Sequence, residues 1–249
     1  MLHLGNFLSV FKRRYISYQI ERYLRNRKIY HYAPYPLEIY KQCLESLKSL
    51  PSHQFAPFLK YDGIDKATDW IFVRHDIDTQ QCMRNLPEII KIDERLRIES
   101  GIYLRIDDEE YSVRDHREMF LQYKEHGFEI GLHSLCYLKE NYSQEFQRET
   151  DKFKNYMGFQ PRSFSVHGVG SFRLETRMKF YQEVIHWLHQ MGYETGDIPT
   201  LRSYVHTIHD CHLNTENRRF LYDDFLYFPN LSLRGSRYLI MTHPCYWKV

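Results

Sequence analysis

From about Asp69 onward the chain alternates short apolar runs with stretches of helical periodicity, and this pattern limits the possible folds more than any other feature of the sequence. Residues 70–78 read as a strand, and residues 83–97 carry Leu86, Ile89, Ile90 and Leu96 at helical spacing. Residues 101–106 read as the next strand. A helix over 117–126 should stop at Gly127, a residue suited to the left-handed turn that ends a helix. The pattern continues with a strand over 128–133, a helix over 144–156, a strand over 162–167, a helix over 179–191 ended by Gly192, and a strand over 238–243. Strands separated by helices return in the same direction, so the expected fold is α/β with a mostly parallel sheet. At 249 residues and 43% hydrophobic content the chain can bury one main core, and single-domain (β/α) barrels reach this length.

The strands end in an unusual way. Ile71-Phe72-Val73 is apolar, but Arg74-His75-Asp76-Ile77-Asp78 follows it. Two carboxylates at the edge of a core repel each other unless cations, hydrogen bonds or a metal ion compensate. Other strands end at His133, His167 and His243. Strand C-termini of parallel α/β folds converge on one face, so residues distant in sequence can meet there. A carboxylate with two imidazoles is a common set for a catalytic divalent ion, with bonds near ~2.0–2.2 Å. Asp78 and His133 form the best ligand pair, and Asp76 is placed to remain an unligated base. Arg74 and His75 are expected to hold the carboxylates from behind.

Composition excludes several classes. With 34 basic and 32 acidic residues the net charge is +2, unlike the field of a dedicated nucleic-acid binder. Cys43, Cys82, Cys136, Cys211 and Cys245 are odd in number and form no C-x-x-C pair, which argues against a disulfide framework and fits a reducing cytoplasm. The 14 histidines point toward metal or acid-base chemistry. Residues 1–50 are expected to form a helical extension to a domain over 51–249. Within it, Leu4, Leu8, Phe11, Tyr15 and Tyr18 recur at helical spacing among seven Lys or Arg residues up to Tyr32. Such a basic amphipathic helix either packs on the domain or touches an anionic membrane surface from the cytoplasmic side. No stretch has the length of a membrane span or the form of a secretion signal.

The fragments Arg74-His75-Asp76-Ile77-Asp78, Glu129-Ile130-Gly131-Leu132-His133-Ser134 and Leu239-Ile240-Met241-Thr242-His243-Pro244, in this order, resemble the first, second and last motifs of the polysaccharide deacetylase (NodB-homology) family. The resemblance spans roughly Asp69 to the C-terminus. It implies a distorted (β/α) barrel holding one divalent ion, usually zinc, and removal of acyl groups from amino sugars. It further implies Asp76 as base, Asp78 and His133 as metal ligands and His243 as general acid. The family's H-S-x-x-H would place a second histidine ligand where this chain has Tyr137, a poor zinc ligand at neutral pH. His167, in Phe164-Ser165-Val166-His167-Gly168, stands where the family has no histidine and is the expected replacement, with His243 as the other choice for third ligand. The fourth motif is not identifiable beyond Asp197 as a fragment.

A second cluster, His206, His209 and His212 with Asp210, can hold one metal only in an irregular loop, since a strand turns His209 away from the other two. Three functions fit these residues. The first is a metal-dependent hydrolase removing an N- or O-acetyl type group from a sugar of a polysaccharide or its cytoplasmic precursor. The second is an inactive deacetylase-like protein that binds carbohydrate. The third is a glycosyltransferase using D-x-D, which leaves His133 and His243 without roles.

Overall fold

The structure is a computed structural model and describes residues 35–49, 53–59, 69–106, 111–136, 141–167, 186–195, 205–210 and 237–249. Its strands are β1 (Tyr35–Pro36), β2 (His53–Phe55), β3 (Asp69–Ile77), β4 (Gly101–Leu104), β5 (Glu129–Ser134), β6 (Ser163–Val166), β7 (Glu194–Thr195), β8 (Val205–His209), β9 (Arg237–Thr242) and β10 (Trp247–Lys248). Its helices are α1 (Leu37–Lys48), α2 (Gln80–Leu96), α3 (Arg117–Glu125), α4 (Tyr142–Met157) and α5 (His186–Gln190), and a 3-10 turn covers Pro244–Tyr246.

The main sheet runs β7-β6-β5-β4-β3-β9-β8, and every pairing in it is parallel. β2 lies along the first residues of β3, on the edge that β4 takes further on. Helices α2 to α5 lie between consecutive strands from β3 to β7, so the chain is an α/β protein. Among the described residues no hydrogen bonds link the outer strands β7 and β8 to close the expected barrel. A small second sheet pairs β1 with β10 and ties α1 to the end of the chain. Residues 35–48, from the segment expected as an extension, therefore join the core. Residues 1–34, with the expected basic helix, lie outside the described residues. No helix among those described is long and apolar enough to cross a membrane.

Local chemistry sets the helix ends. The Thr79 hydroxyl accepts from the Cys82 amide at 3.2 Å and caps α2. This starts the helix at Gln80, three residues before the apolar periodicity that marks it in the sequence. α3 ends ahead of Gly127, whose φ of 97° is open to glycine at little cost, as the sequence predicts.

Alternation along the strands sorts the core into two faces. Ile71 and Val73 of β3, with Tyr238 and Ile240 of β9, pack against α1 and α2. Ile77, Ile102, Leu104, Ile130, Leu132, Phe164 and Val166 pack with side chains of α2, α3 and α4. The opposite, inner face buries Trp70, Phe72, Tyr103 and Leu239 together with Ala56 and Phe58. Space there is tight: a Cβ on Gly131 would lie 2.6 Å from the Tyr103 ring, and one on Gly101 would lie 2.7 Å from it. Further along this inner face, toward the C-terminal ends of the strands, the side chains change from aromatic to ionisable.

Candidate metal centre and active site

The residue period of two places Trp70, Phe72, Arg74 and Asp76 on one face of β3, with Asp78 just past its end. The same alternation aligns Glu129, Gly131 and His133 on β5, Ser163 and Ser165 on β6 followed by His167, and Leu239 and Met241 on β9 followed by His243. Parallel pairing turns these four strand ends to one rim of the sheet, with β4 between β5 and β3 and with His133 opposite Ser165 in register. The backbone amide of His167 donates to the Ser134 carbonyl at 2.9 Å, which fixes the turn carrying the His167 ring.

Three ligand atoms meet at this rim. The Asp78 Oδ1 lies 3.0 Å from His167 Nδ1 and 3.2 Å from His133 Nε2, and the two nitrogens are 3.1 Å apart. Donors bound at ~2.1 Å around one ion are spaced about 3.0 Å in an octahedron and about 3.4 Å in a tetrahedron, so this triangle has the size of one coordination face. The donor set, one carboxylate and two imidazoles, is also the chemistry of such a site. Asp78, His133 and His167 thus fit a divalent ion. His243 Nε2 stands at 3.5 Å from the other Asp78 oxygen, Oδ2.

Asp76 is buried behind the triangle. Its Oδ2 accepts from Arg74 Nη2 at 2.7 Å, and its Oδ1 accepts from the Ser165 hydroxyl at 3.4 Å. Ser165 Oγ is also 2.6 Å from His133 Nδ1. When the hydroxyl donates to Asp76, its oxygen accepts from His133 Nδ1–H, and His133 Nε2 then presents a bare lone pair to the triangle. Burial acts to raise the Asp76 pKa, but Arg74, then His133 and His243, outweigh it and hold the carboxyl below its ordinary range. Burial also opposes ionisation of Asp78, but a proton placed on the facing nitrogen of His133 or His167 is donated to it and holds it well below its ordinary range.

His243 is anchored from the opposite side. Its backbone amide and Nδ1 each lie 2.7 Å from an oxygen of Asp210, which also accepts from the Trp247 indole N–H at 2.8 Å. Asp210 is fully buried just past β8. Its carboxylate takes Nδ1–H and leaves Nε2, 4.0 Å from Asp76 Oδ2, as the nitrogen that exchanges a proton at the site.

The structure therefore brings together Asp76, Asp78, His133, His167, His243 and Arg74. It does not bring His75 among them. On β3 an odd-numbered neighbour faces the other side, where His75 Nε2 donates to Asp93 at 2.9 Å and Nδ1 lies 2.6 Å from the Thr242 hydroxyl. The expectation that His75 supports the paired carboxylates is corrected by this alternation. Residues 205–209 form a strand instead of the irregular loop that the second histidine cluster would need, and Asp210 pairs with His243. His212, Tyr137, Gly168 and Asp197 lie outside the described residues.

The sequence pattern gives Ser165 and Glu149 no role and places Asp210 in the second histidine cluster, not at this site. Ser165 could have been found from its position two residues before His167 on the same strand face. Asp210 stood in view, but it was grouped with its histidine neighbours instead of a partner distant in sequence. Glu149, buried on α4, accepts from the Ser134 hydroxyl and from the Leu135 amide and so braces the turn after His133; burial pushes its carboxyl up to about 7 despite those bonds.

No family model matches the sequence, and no curated protein matches it. Solved structures to which the chain is similar include the polysaccharide deacetylase Bc1974 from Bacillus cereus, at 11% identity and a TM-score of 0.46, covering 71% of this chain and 79% of that chain. The catalytic domain of peptidoglycan N-acetylglucosamine deacetylase from Eubacterium rectale matches at 10% identity and a TM-score of 0.49, over 70% of this chain and 76% of that one. BA3943 from Bacillus anthracis, described as a CE4 family pseudoenzyme, matches at 13% identity and a TM-score of 0.40, over 69% of this chain and 54% of that one.

Proposed function

We propose that this chain is a metal-dependent hydrolase that removes an N- or O-acetyl type group from a sugar of a polysaccharide or its precursor. The observation that supports this most is the triangle of Asp78, His133 and His167, with Asp76 on one side and His243 on the other, each in a distinct hydrogen-bond setting. Asp78, His133 and His167 would hold a divalent ion, usually zinc in the family these motifs resemble, and the ion would supply Lewis acidity to a water and to the acyl carbonyl.

The chain's own groups supply the proton transfers. Asp76 is kept ionised at neutral pH by Arg74 and accepts the proton of the attacking water. The water oxygen bonds to the acyl carbon, and the bond to the sugar nitrogen or oxygen then breaks. His243 Nε2, oriented through Asp210, donates a proton to the departing sugar group, and the acyl group leaves as a carboxylate. Both histidines that a D-x-D glycosyltransferase would leave idle lie within 3.5 Å of Asp78.

The test is Asp76→Asn, which is nearly isosteric and leaves the triangle intact. Metal stoichiometry should match wild type, while hydrolysis of a panel of N- and O-acetylated oligosaccharides should fall by about 10² or more. If the metal-loaded wild type binds such sugars and releases no acetate, the carbohydrate-binding reading takes its place.

A further inference from the structure

β4 lies between β3 and β5, the strands that lead to Asp78 and His133, yet its own residues, Gly101 to Leu104, supply no ligand. Strands two places apart in a sheet stand about 10 Å from each other, while Asp78 Oδ1 and His133 Nε2 are 3.2 Å apart, so the two ligands reach toward each other across the end of β4. Asp78 does so from beyond the sheet: it follows the last residue of β3, and the pairing of β3 with β4 stops at Ile77 and Leu104. Two side chains from the β4 side take over at that point. The Tyr111 hydroxyl bridges the strands, accepting from the Arg105 amide at 3.0 Å and donating to the Ile77 carbonyl at 2.6 Å. Arg105 Nη1 donates to the Asp78 carbonyl at 3.0 Å. The Tyr111 ring is buried in the core cluster that holds Ile77 and Leu104, which fixes where its hydroxyl stands.

On the metal-binding reading given above, we propose that Arg105 and Tyr111 are positioning residues for the metal centre: they hold the backbone of Ile77 and Asp78 so that the Asp78 carboxylate meets His133 and His167 at one ion. With two consecutive carbonyls anchored, only the short Asp78 side chain keeps its freedom, and less ordering remains to be done when an ion binds. The guanidinium is charged at any working pH, so its bond to the carbonyl is of the stronger, charge-assisted kind. The charge of Arg105 and its hydrogen bond act in opposite directions on a bound cation. A positive charge near the centre repels a divalent ion, whereas an anchored Asp78 favours it. The sign of the change on removing Arg105 therefore separates a positioning role from a simple effect of charge.

Titration of the full chain with zinc and with cobalt against a chelating dye tests this, with circular dichroism to check that each variant is folded. Arg105→Met keeps the length of the stem and removes the donors; its affinity should fall by about 10- to 100-fold with the stoichiometry unchanged, as loss of a contact supporting a ligand does. Tyr111→Phe keeps the ring in the core and should shift affinity in the same direction, while Arg105→Lys should recover part of the loss. The visible absorption of the cobalt-loaded variants should differ from that of wild type, which a contact serving stability alone would not produce. Affinities equal to or above wild type in Arg105→Met and Tyr111→Phe, with the cobalt spectrum unchanged, would overturn the proposal. A wild-type chain that takes up neither metal would overturn it together with the proposed function. Weaker binding in the variants supports it whether or not the wild type releases acetate, so a failed hydrolase reading is told apart from a failed brace.

Discussion

The two faces of β3 each carry an Asp–His cluster, and the clusters are built for opposite purposes. On the outer face, Asp93 receives the Tyr40 hydroxyl at 2.6 Å, the Ser100 hydroxyl at 2.6 Å and His75 Nε2 at 2.9 Å, and Thr242 serves the remaining nitrogen of His75. Every acceptor there faces a donor, and His75, Asp93, Ser100 and Thr242 are all fully buried. On the inner face the triangle of Asp78, His133 and His167 turns acceptors toward one another at 3.0 to 3.2 Å. Hydroxyl groups close the first cluster, whereas the second calls for a proton or a cation. Identical residue types thus yield a structural bracket on one side and a candidate metal centre on the other. Which of the two forms depends on the donors brought by neighbouring elements.

The contrast can be broken most severely at the ligands. His167→Ala should weaken binding of zinc or cobalt by several orders of magnitude, because it removes one of three donors. His243→Ala should leave affinity nearly unchanged and depress only the rate. Competition titrations with a chelating dye measure both, and reversed affinities would exchange the roles of the two histidines.

The next largest effect belongs to the closed cluster. Asp93→Ala strands His75, Tyr40 and Ser100 in the core and should cost about 3–5 kcal/mol of stability, as removing one member of a buried charge network does. Urea unfolding reads this directly. The folded fraction should still bind metal with wild-type stoichiometry. If metal affinity drops along with stability, the two faces are coupled and the division drawn here is wrong.

The smallest change sharpens the open cluster. Ser165→Ala removes the hydroxyl between His133 and Asp76, and loss of such a supporting contact lowers metal affinity by about 10- to 100-fold. Stability should fall by about 1–3 kcal/mol, less than at Asp93, because His133 Nδ1 and Asp76 Oδ1 each lose one buried partner. An affinity equal to wild type would show that His133 keeps its orientation without Ser165.

The sequence by itself determined the strand–helix alternation, hence the parallel sheet, and the rule that residues two apart on a strand share a face. From these follow the α/β class and the meeting of Asp76, Asp78, His133, His167 and His243 at one rim, because parallel strands must end on the same side. Even the separation of His75 from Asp76 was implicit in that alternation, although adjacency in the sequence suggested a shared task. The start of α2 was less legible, since a side-chain cap at Thr79 set it and not hydrophobic spacing. The partnerships were not legible at all. Asp210 with His243, Ser165 with His133, Glu149 with Ser134 and Asp93 with His75 join residues from 15 to 33 positions apart. Only the tertiary structure decided them, because hydrogen bonds act over about 3 Å and depend on how strands align and helices pack, whereas periodicity in a sequence reports which face is buried and not what it meets there.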